Sequence, residues 1–241
     1  MNTTTDQFGI CCVQNAGFSA LGSLGVSPLT YDENYAPSYT GVTEKFIDAC
    51  KKIMKTFHDP DYCATNATPG YSTMDCNQVF AAGRGLFYVQ VSGALKLLRD
   101  STVDYGIVTL PKYDTNQEKY MSTISPTGCS CAAIIANNPD PSRTGTVLEN
   151  IAAYSHKLML PAYYDITLCY KYSKDQTSIE MLDTVFQNGY LEVAFVYNFG
   201  SIRNTVQNLL IARSENIASS LEAIGNIVKK QLDAVVSKLV D

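Results

Sequence analysis

Residues 80–114 read FAAGRGLFYVQVSGALKLLRDSTVDYGIVTLPKYD, and this stretch decides the class of fold. A helix-compatible run that begins at Met74 stops at Gly83, the residue type that ends helices by entering left-handed backbone. Residues 85–91 (GLFYVQV) then combine aromatic and β-branched side chains in strand-like alternation. Ser92-Gly93 breaks that strand. A second extended run, residues 105–110 (YGIVTL), is closed by Pro111, which has no N–H to give to a sheet ladder. Helix, strand, linker and extended run in this order predict an α/β class.

Upstream, residues 9–13 (GICCV) form a short apolar run, and small and apolar residues from Phe18 onward suit a buried helix. Residues 27–39 hold Pro28, Asn34, Pro37 and several tyrosines and read as a surface loop. Thr43 is an N-cap candidate, and Phe46, Ala49, Cys50, Ile53, Met54 and Phe57 follow it at helical spacing, with Lys45, Asp48, Lys51 and Lys52 opposite. Burying Phe46, Ile53 and Phe57 contributes about 2 kcal/mol each. That exceeds the helix propensity of any single residue, so tertiary packing must hold this helix.

Downstream, residues 131–136 (CAAIIA) predict a third, buried strand, and Asp140-Pro141 predicts a cap with proline in the first helical position. Val147, Leu148, Ile151 and Tyr154 then form an apolar helix face. Ile179, Leu182, Val185 and Phe186 repeat the pattern behind a Ser178 cap. From Asn216, apolar residues Leu221, Ile224, Val228, Leu232, Val235 and Leu239 recur three or four apart and predict a long amphipathic helix. No repeat of fixed period is present.

The chain has 241 residues, of which 46% are hydrophobic and 17% charged, with 16 tyrosines and no tryptophan. That composition excludes disorder and a coiled coil. Net charge is -5 and basic residues come at most in pairs, so no stripe exists to track phosphates and nucleic acid is not a partner. The longest uncharged stretch, residues 7–31, contains Gln14, Asn15, four glycines and Pro28 and is read as strand, loop and helix, not as a membrane span. Residues 1–10 (MNTTTDQFGI) lack the basic and apolar regions of an export signal, which taken alone implies cytoplasm. Eight cysteines with no C-x-x-C pair predict buried free thiols.

No nucleophile elbow, P-loop, dinucleotide fingerprint or H-E-x-x-H motif occurs, and the only histidines are His58 and His156. The sharpest catalytic arrangement is Cys129 and Cys131, with His156 as base or metal partner in a thiol- or metal-dependent hydrolase. Cysteines leading into Ala-Ala-Ile-Ile are more often core, and no fourth ligand is evident. Asp100 and Asp104 fit an acid–base pair less well than a solvated turn. The chain therefore reads as a binding module, not an enzyme, with no cofactor and no metal. In open α/β sheets ligands sit beyond the strand carboxyl ends. Gln14, Asn15 and Phe18 follow the first strand, and Tyr197, Asn198 and Phe199 place an amide between two rings, a composition suited to a sugar.

The helix ending in F-x-x-G, the strand after it and the "yG-i-x-x-lPk" run of residues 80–114 resemble the family-one extracellular solute-binding proteins. Residues 125–136, 158–165 (LMLPAYYD), 197–202 and 216–224 resemble, in order, the return strand and late helices of Firmicute-type members. The resemblance implies periplasmic-binding-protein type 2 architecture, two α/β lobes joined by a hinge, here with the first lobe incomplete and a helical C-terminus. It implies a second-lobe segment at residues 1–120, a crossover to the first lobe at 121–175, and C-terminal helices at 176–241 that pack on the second lobe. It further implies an extracellular, lipoprotein-tethered monomer that hands a solute, often an oligosaccharide, to the transmembrane subunits of an ABC permease. The loop holding Ser92 would then face the ligand. The chain departs from the family in lacking its signal and first βα units, and in having Ser92-Gly93-Ala94 where maltose-binding members carry a tryptophan.

Overall fold

The computed structural model describes residues 5–68, 70–71, 73–125, 132–164 and 175–240. The apolar run near the N-terminus becomes β1 (Phe8–Cys12), and α1 (Ala16–Ser23) follows after one short loop. Two short strands, β2 (Thr30–Tyr31) and β3 (Pro37–Ser38), pair antiparallel inside the stretch read as loop. Next comes α2 (Glu44–Phe57), where Thr43 Oγ1 accepts the Phe46 N–H at 3.2 Å. The apolar face read from the sequence is the buried one: Phe46, Ala49, Cys50, Ile53, Met54 and Phe57.

A three-residue strand, β4 (Cys63–Thr65), then α3 (Thr73–Ala81) and β5 (Gly85–Val89) complete the first half. The three longer strands form one parallel sheet in the order β4–β1–β5, with Cys12 level with both Thr65 and Val89. Strand alternation splits the core between the two faces. Ile10, Cys12 and Cys63 join the large cluster built from α1 and α2, whereas Phe8, Cys11 and Ala64 join a smaller one with Val79 of α3. The predicted stop after α3 is present, with Gly83 at φ +72°.

Residues 101–121 run without a strand, so the extended run expected at 105–110 joins no sheet. Side chains fix it instead. Ile107 N–H donates to Ser178 Oγ at 2.8 Å, and Tyr113 donates to Asp48 at 2.6 Å beneath the Lys52 ammonium. β6 (Ser122–Thr123) then lies on α1, its Thr123 hydroxyl donating to the Ser19 carbonyl at 2.7 Å.

The buried strand expected at 131–136 is corrected. Residues 132–136 are exposed and outside any strand, with Ile135 69% exposed. Apolar composition makes a segment suited to burial, yet no described strand lies beside it to pair with. Next, α4 (Pro141–Tyr154) has its predicted cap, Asp140 accepting the Arg143 N–H at 2.9 Å, but none of its residues is buried.

The chain re-enters the body at α5 (Gln176–Gln187). Its cap is Asp175, not Ser178, which sits in the first turn and binds Asp175 through both its N–H and its hydroxyl. β7 (Gly189–Tyr190) pairs parallel with β6. The short α6 (Val193–Tyr197) starts at buried Glu192, which caps Ala194 N–H and accepts from Tyr31 and Tyr190. After a kink at residues 198–201, α7 (Ile202–Ile211) and α8 (Ile217–Val240) send Ile202, Val206, Leu210, Leu221, Val228 and Leu232 into the large cluster. Among the described residues no helix is long and apolar enough to cross a membrane.

Candidate functional site

Because β4, β1 and β5 are parallel and in register at Thr65, Cys12 and Val89, the loops that leave them emerge at one edge of the sheet. Gln14 and Asn15 come from the first loop, Asn66 from the second, and Gln90 and Ser92 from the third. The first two loops are tied together, since Gln14 N–H donates to Asn66 Oδ1 at 2.6 Å. Asn15 reaches the other way and accepts from Gln207 of α7 at 2.5 Å. The third loop turns into a 3-10 helix at residues 92–98, with Gln90 Oε1 taking the Val91 N–H at 3.0 Å. Asn15 and Asn66 are exposed and Gln14, Gln90 and Ser92 half-buried. This edge is a row of neutral amides with one hydroxyl, which offers directed donors and acceptors without net charge.

Phe18 and Phe199 are placed differently. Phe18 is 7% exposed with its ring 4.6 Å from that of Phe195, and Phe199 is 3% exposed. Both belong to the core. Tyr197 is 56% exposed and stacks parallel on Phe199 at 5.2 Å, so one ring of the pair faces solvent and the other anchors it. Asn198 adopts left-handed backbone at φ +52° and its side chain accepts the Arg203 N–H at 2.9 Å, which makes it a kink residue between α6 and α7. Gln14, Asn15 and Ser92 thus share the sheet edge, while Tyr197, Asn198 and Phe199 sit at the α6–α7 kink.

Asn66 was outside the sequence reading. It follows Cys63-Ala64-Thr65, a run too short for alternation to register. Cys129 and Cys131 lie outside the described residues, and His156 is exposed. The described cysteines are Cys11, Cys12, Cys50, Cys63 and Cys76, all free and buried. Burial pushes the Cys50 thiol up to about 12 and the Cys63 thiol up to about 11, so neither supplies a thiolate near neutral pH. No group of three metal-ligating side chains occurs among the described residues. The hydrolase reading gains no support from them.

No protein family and no curated protein matches the chain by sequence. Among solved structures it is similar to the maltotriose-binding protein of Thermus thermophilus, determined with maltotriose bound, at 14% identity and a TM-score of 0.56. The match covers 95% of this chain and 62% of that one. The fold is therefore α/β and shared with a solute-binding protein, and the chain spans less than two thirds of that protein's length. The neighbour is a binding protein.

Proposed function

We propose that the chain is part of a solute-binding protein that takes up a neutral, hydroxyl-rich solute, most simply an oligosaccharide, for delivery to an ABC-type permease. The observation that carries this reading is the convergence of three parallel strand ends on Gln14, Asn15, Asn66, Gln90 and Ser92. Amides at the carboxyl edge of a sheet can pair with hydroxyls at little desolvation cost, since no charge must be stripped of water. Exposed Tyr197, backed by Phe199, is the ring available to stack on an apolar sugar face. In this reading residues 1–120 and 176–241 belong to one lobe, residues 121–175 cross to the other, and the protein works outside the cell as a tethered monomer.

Calorimetry of the chain against maltose, maltotriose and other oligosaccharides tests it. Asn66→Ala is expected to weaken binding by about 0.5–1.5 kcal/mol, one neutral hydrogen bond, and to lower thermal stability modestly as well, because Asn66 Oδ1 also accepts the Gln14 N–H. Binding unaffected by Asn66→Ala and Asn15→Ala together, or no binding at millimolar sugar by any polypeptide containing this chain, would remove the reading.

A further inference from the structure

An amide side chain can give or take a hydrogen bond according to which of its ends is free, and at the sheet edge that is already decided. A backbone N–H can only donate, so the side-chain atom facing it has to be the amide oxygen. Gln14 N–H fixes Asn66 Oδ1 in this way at 2.6 Å, and Val91 N–H fixes Gln90 Oε1 at 3.0 Å. Asn15 Oδ1 is taken by the Gln207 amide at 2.5 Å. Three of the four sequence-adjacent amides, Asn15, Asn66 and Gln90, therefore have their oxygen occupied from within the protein. What they leave for a ligand is the NH2 end, exposed at Asn15 and Asn66.

Gln90 is the most constrained of the three. The Tyr88 hydroxyl donates to Asn77, which is 7% exposed, so toward Gln90 it can only accept, and the Gln90 NH2 gives it one proton. A buried asparagine thus orients Gln90 through the tyrosine and leaves it one N–H to spare. The charges around the edge point the same way. Residues 13–31, 62–74 and 85–99, which follow or contain the three strand ends, hold no aspartate or glutamate, and neither does α7, which supplies Gln207. Asp75, just beyond the second of these stretches, lies in the first turn of α3, where the helix N-terminus favours its negative charge. An ammonium group entering here would meet donors and no carboxylate, and its charge would lose water without compensation. Ring, glycosidic and hydroxyl oxygens of a sugar can all accept. We propose that Asn15, Asn66 and Gln90 recognise the solute as donors only, so that the edge takes acceptor oxygens of a neutral saccharide and excludes cationic, amine-bearing solutes, amino sugars among them. The inference rests on the reading of this edge as sugar-facing and goes further in fixing the direction of each hydrogen bond these residues make to the ligand.

Asn66→Asp isolates the donor. Its carboxylate still accepts the Gln14 N–H, so thermal unfolding should stay close to native, but the NH2 protons are gone. NMR titration with maltotriose and with a glucosamine trimer whose amines are protonated reads the effect. The native chain should prefer maltotriose, and Asn66→Asp should weaken maltotriose about tenfold and narrow or reverse the preference over the cationic trimer. A side chain that only braced the loop would not move that preference. If Asn66→Asp fails to fold, Asn15→Asp, which keeps an acceptor for Gln207, gives the same comparison. Maltotriose bound as tightly by the aspartate variant as by the native chain, or an unchanged preference, overturns the proposal. The sugar-free protein supplies a separate check. Its Gln14 and Val91 N–H groups should exchange with solvent well below their unstructured rates, while the Asn15 and Asn66 side-chain NH2 protons exchange freely. Unprotected Gln14 and Val91 N–H groups overturn the donor assignment whatever the chain binds. A protein that passes this check and binds no oligosaccharide overturns the sugar reading instead, and the ligand assigned here with it.

Discussion

α2 and α4 are both 14-residue helices, and both begin with a side chain that accepts the N–H of the third helical residue, Thr43 for one and Asp140 for the other. Both place apolar residues at helical spacing. α2 buries six residues, including Phe46 at 0% exposure, and α4 buries none. Identical local instructions therefore end in opposite environments. What separates them is the supply of surfaces: α2 lies against α1 and α7, whereas α4, among the described elements, packs chiefly on the turn that continues it. Capping and periodicity specify a helix and the face it wants covered, and the rest of the fold decides whether a cover exists.

The largest expected effect breaks the body on the α2 side. Phe46→Ala should lower unfolding free energy by about 3–5 kcal/mol, while Ile151→Ala in α4 should change it by less than about 0.5 kcal/mol. Urea unfolding of both variants measures the contrast. A loss above about 1.5 kcal/mol at Ile151, well beyond the roughly 0.5 kcal/mol of ordinary surface substitutions, would show that α4 is packed in solution.

A second test probes how closely the C-terminal helices meet the body. Gly200 has φ +54°, and a Cβ there would lie 2.8 Å from Val228 Cγ2 and 3.0 Å from the Val228 backbone nitrogen. Gly200→Ala combines left-handed strain with a clash against α8 and should cost about 1–3 kcal/mol. Gly145→Ala in α4, where no atom lies within 4 Å, should be neutral or favour the helix. Thermal unfolding of the pair separates them.

The caps sharpen the comparison at smaller scale. Thr43→Ala should destabilise the whole protein by about 1 kcal/mol, because α2 unfolds only with the core. Asp140→Ala should leave global unfolding unchanged and lower only the helical circular dichroism at low temperature, since α4 can fray alone. Equal global losses from both substitutions would mean the two helices share one cooperative unit.

Legibility in the sequence followed the same division. The strand at residues 8–12, the Thr43 cap, the Gly83 stop and the stripe of α8 depend on local chemistry and could be read. β4 could not, because three residues are too few to show a period, and with it Asn66 went unseen. The apolar Ile134-Ile135 pair suits burial, a property that says nothing of whether a neighbouring strand is at hand, and residues 132–136 are exposed. Ser178 and Asp175 are both capping types three apart, and only the structure shows the aspartate outside the helix and the serine in its first turn. At the candidate site, the position of Gln14 and Asn15 after the first strand follows from the sequence pattern, whereas Ser92 enters through the family resemblance. Phe18 looked like a ligand ring because its partner, Phe195, lies far along the chain, and no local pattern reports such a pairing.

The smallest expected effect is a pH dependence belonging to the body alone. His58 closes α2, and its Nε2 is buried with no hydrogen-bond partner; a Cβ on Gly17 would lie 2.5 Å from it, so the ring is held tightly against α1. Burial, and then the nearby Arg213 charge, lower the pKa of His58 below its ordinary 6.5. The unfolded chain therefore takes up the proton first as pH falls. Stability from this group is fully present above pH 6.5, declines as pH drops below it, and levels off once the folded ring also protonates. Asp48 and Asp175, whose carboxyls are lowered by the Tyr113 and Ser178 hydroxyls respectively, act only in the more acid range. Urea unfolding at pH 7.5 and 5.5 should show the native chain weaker at 5.5, with His58→Gln removing most of the difference. Residues 141–158 should exchange alike at the two pH values after correction for intrinsic rates, because His58 touches the packed half of the molecule and not the uncovered helix. A slope that survives His58→Gln would assign the titration to another group and leave the burial of this ring without energetic consequence.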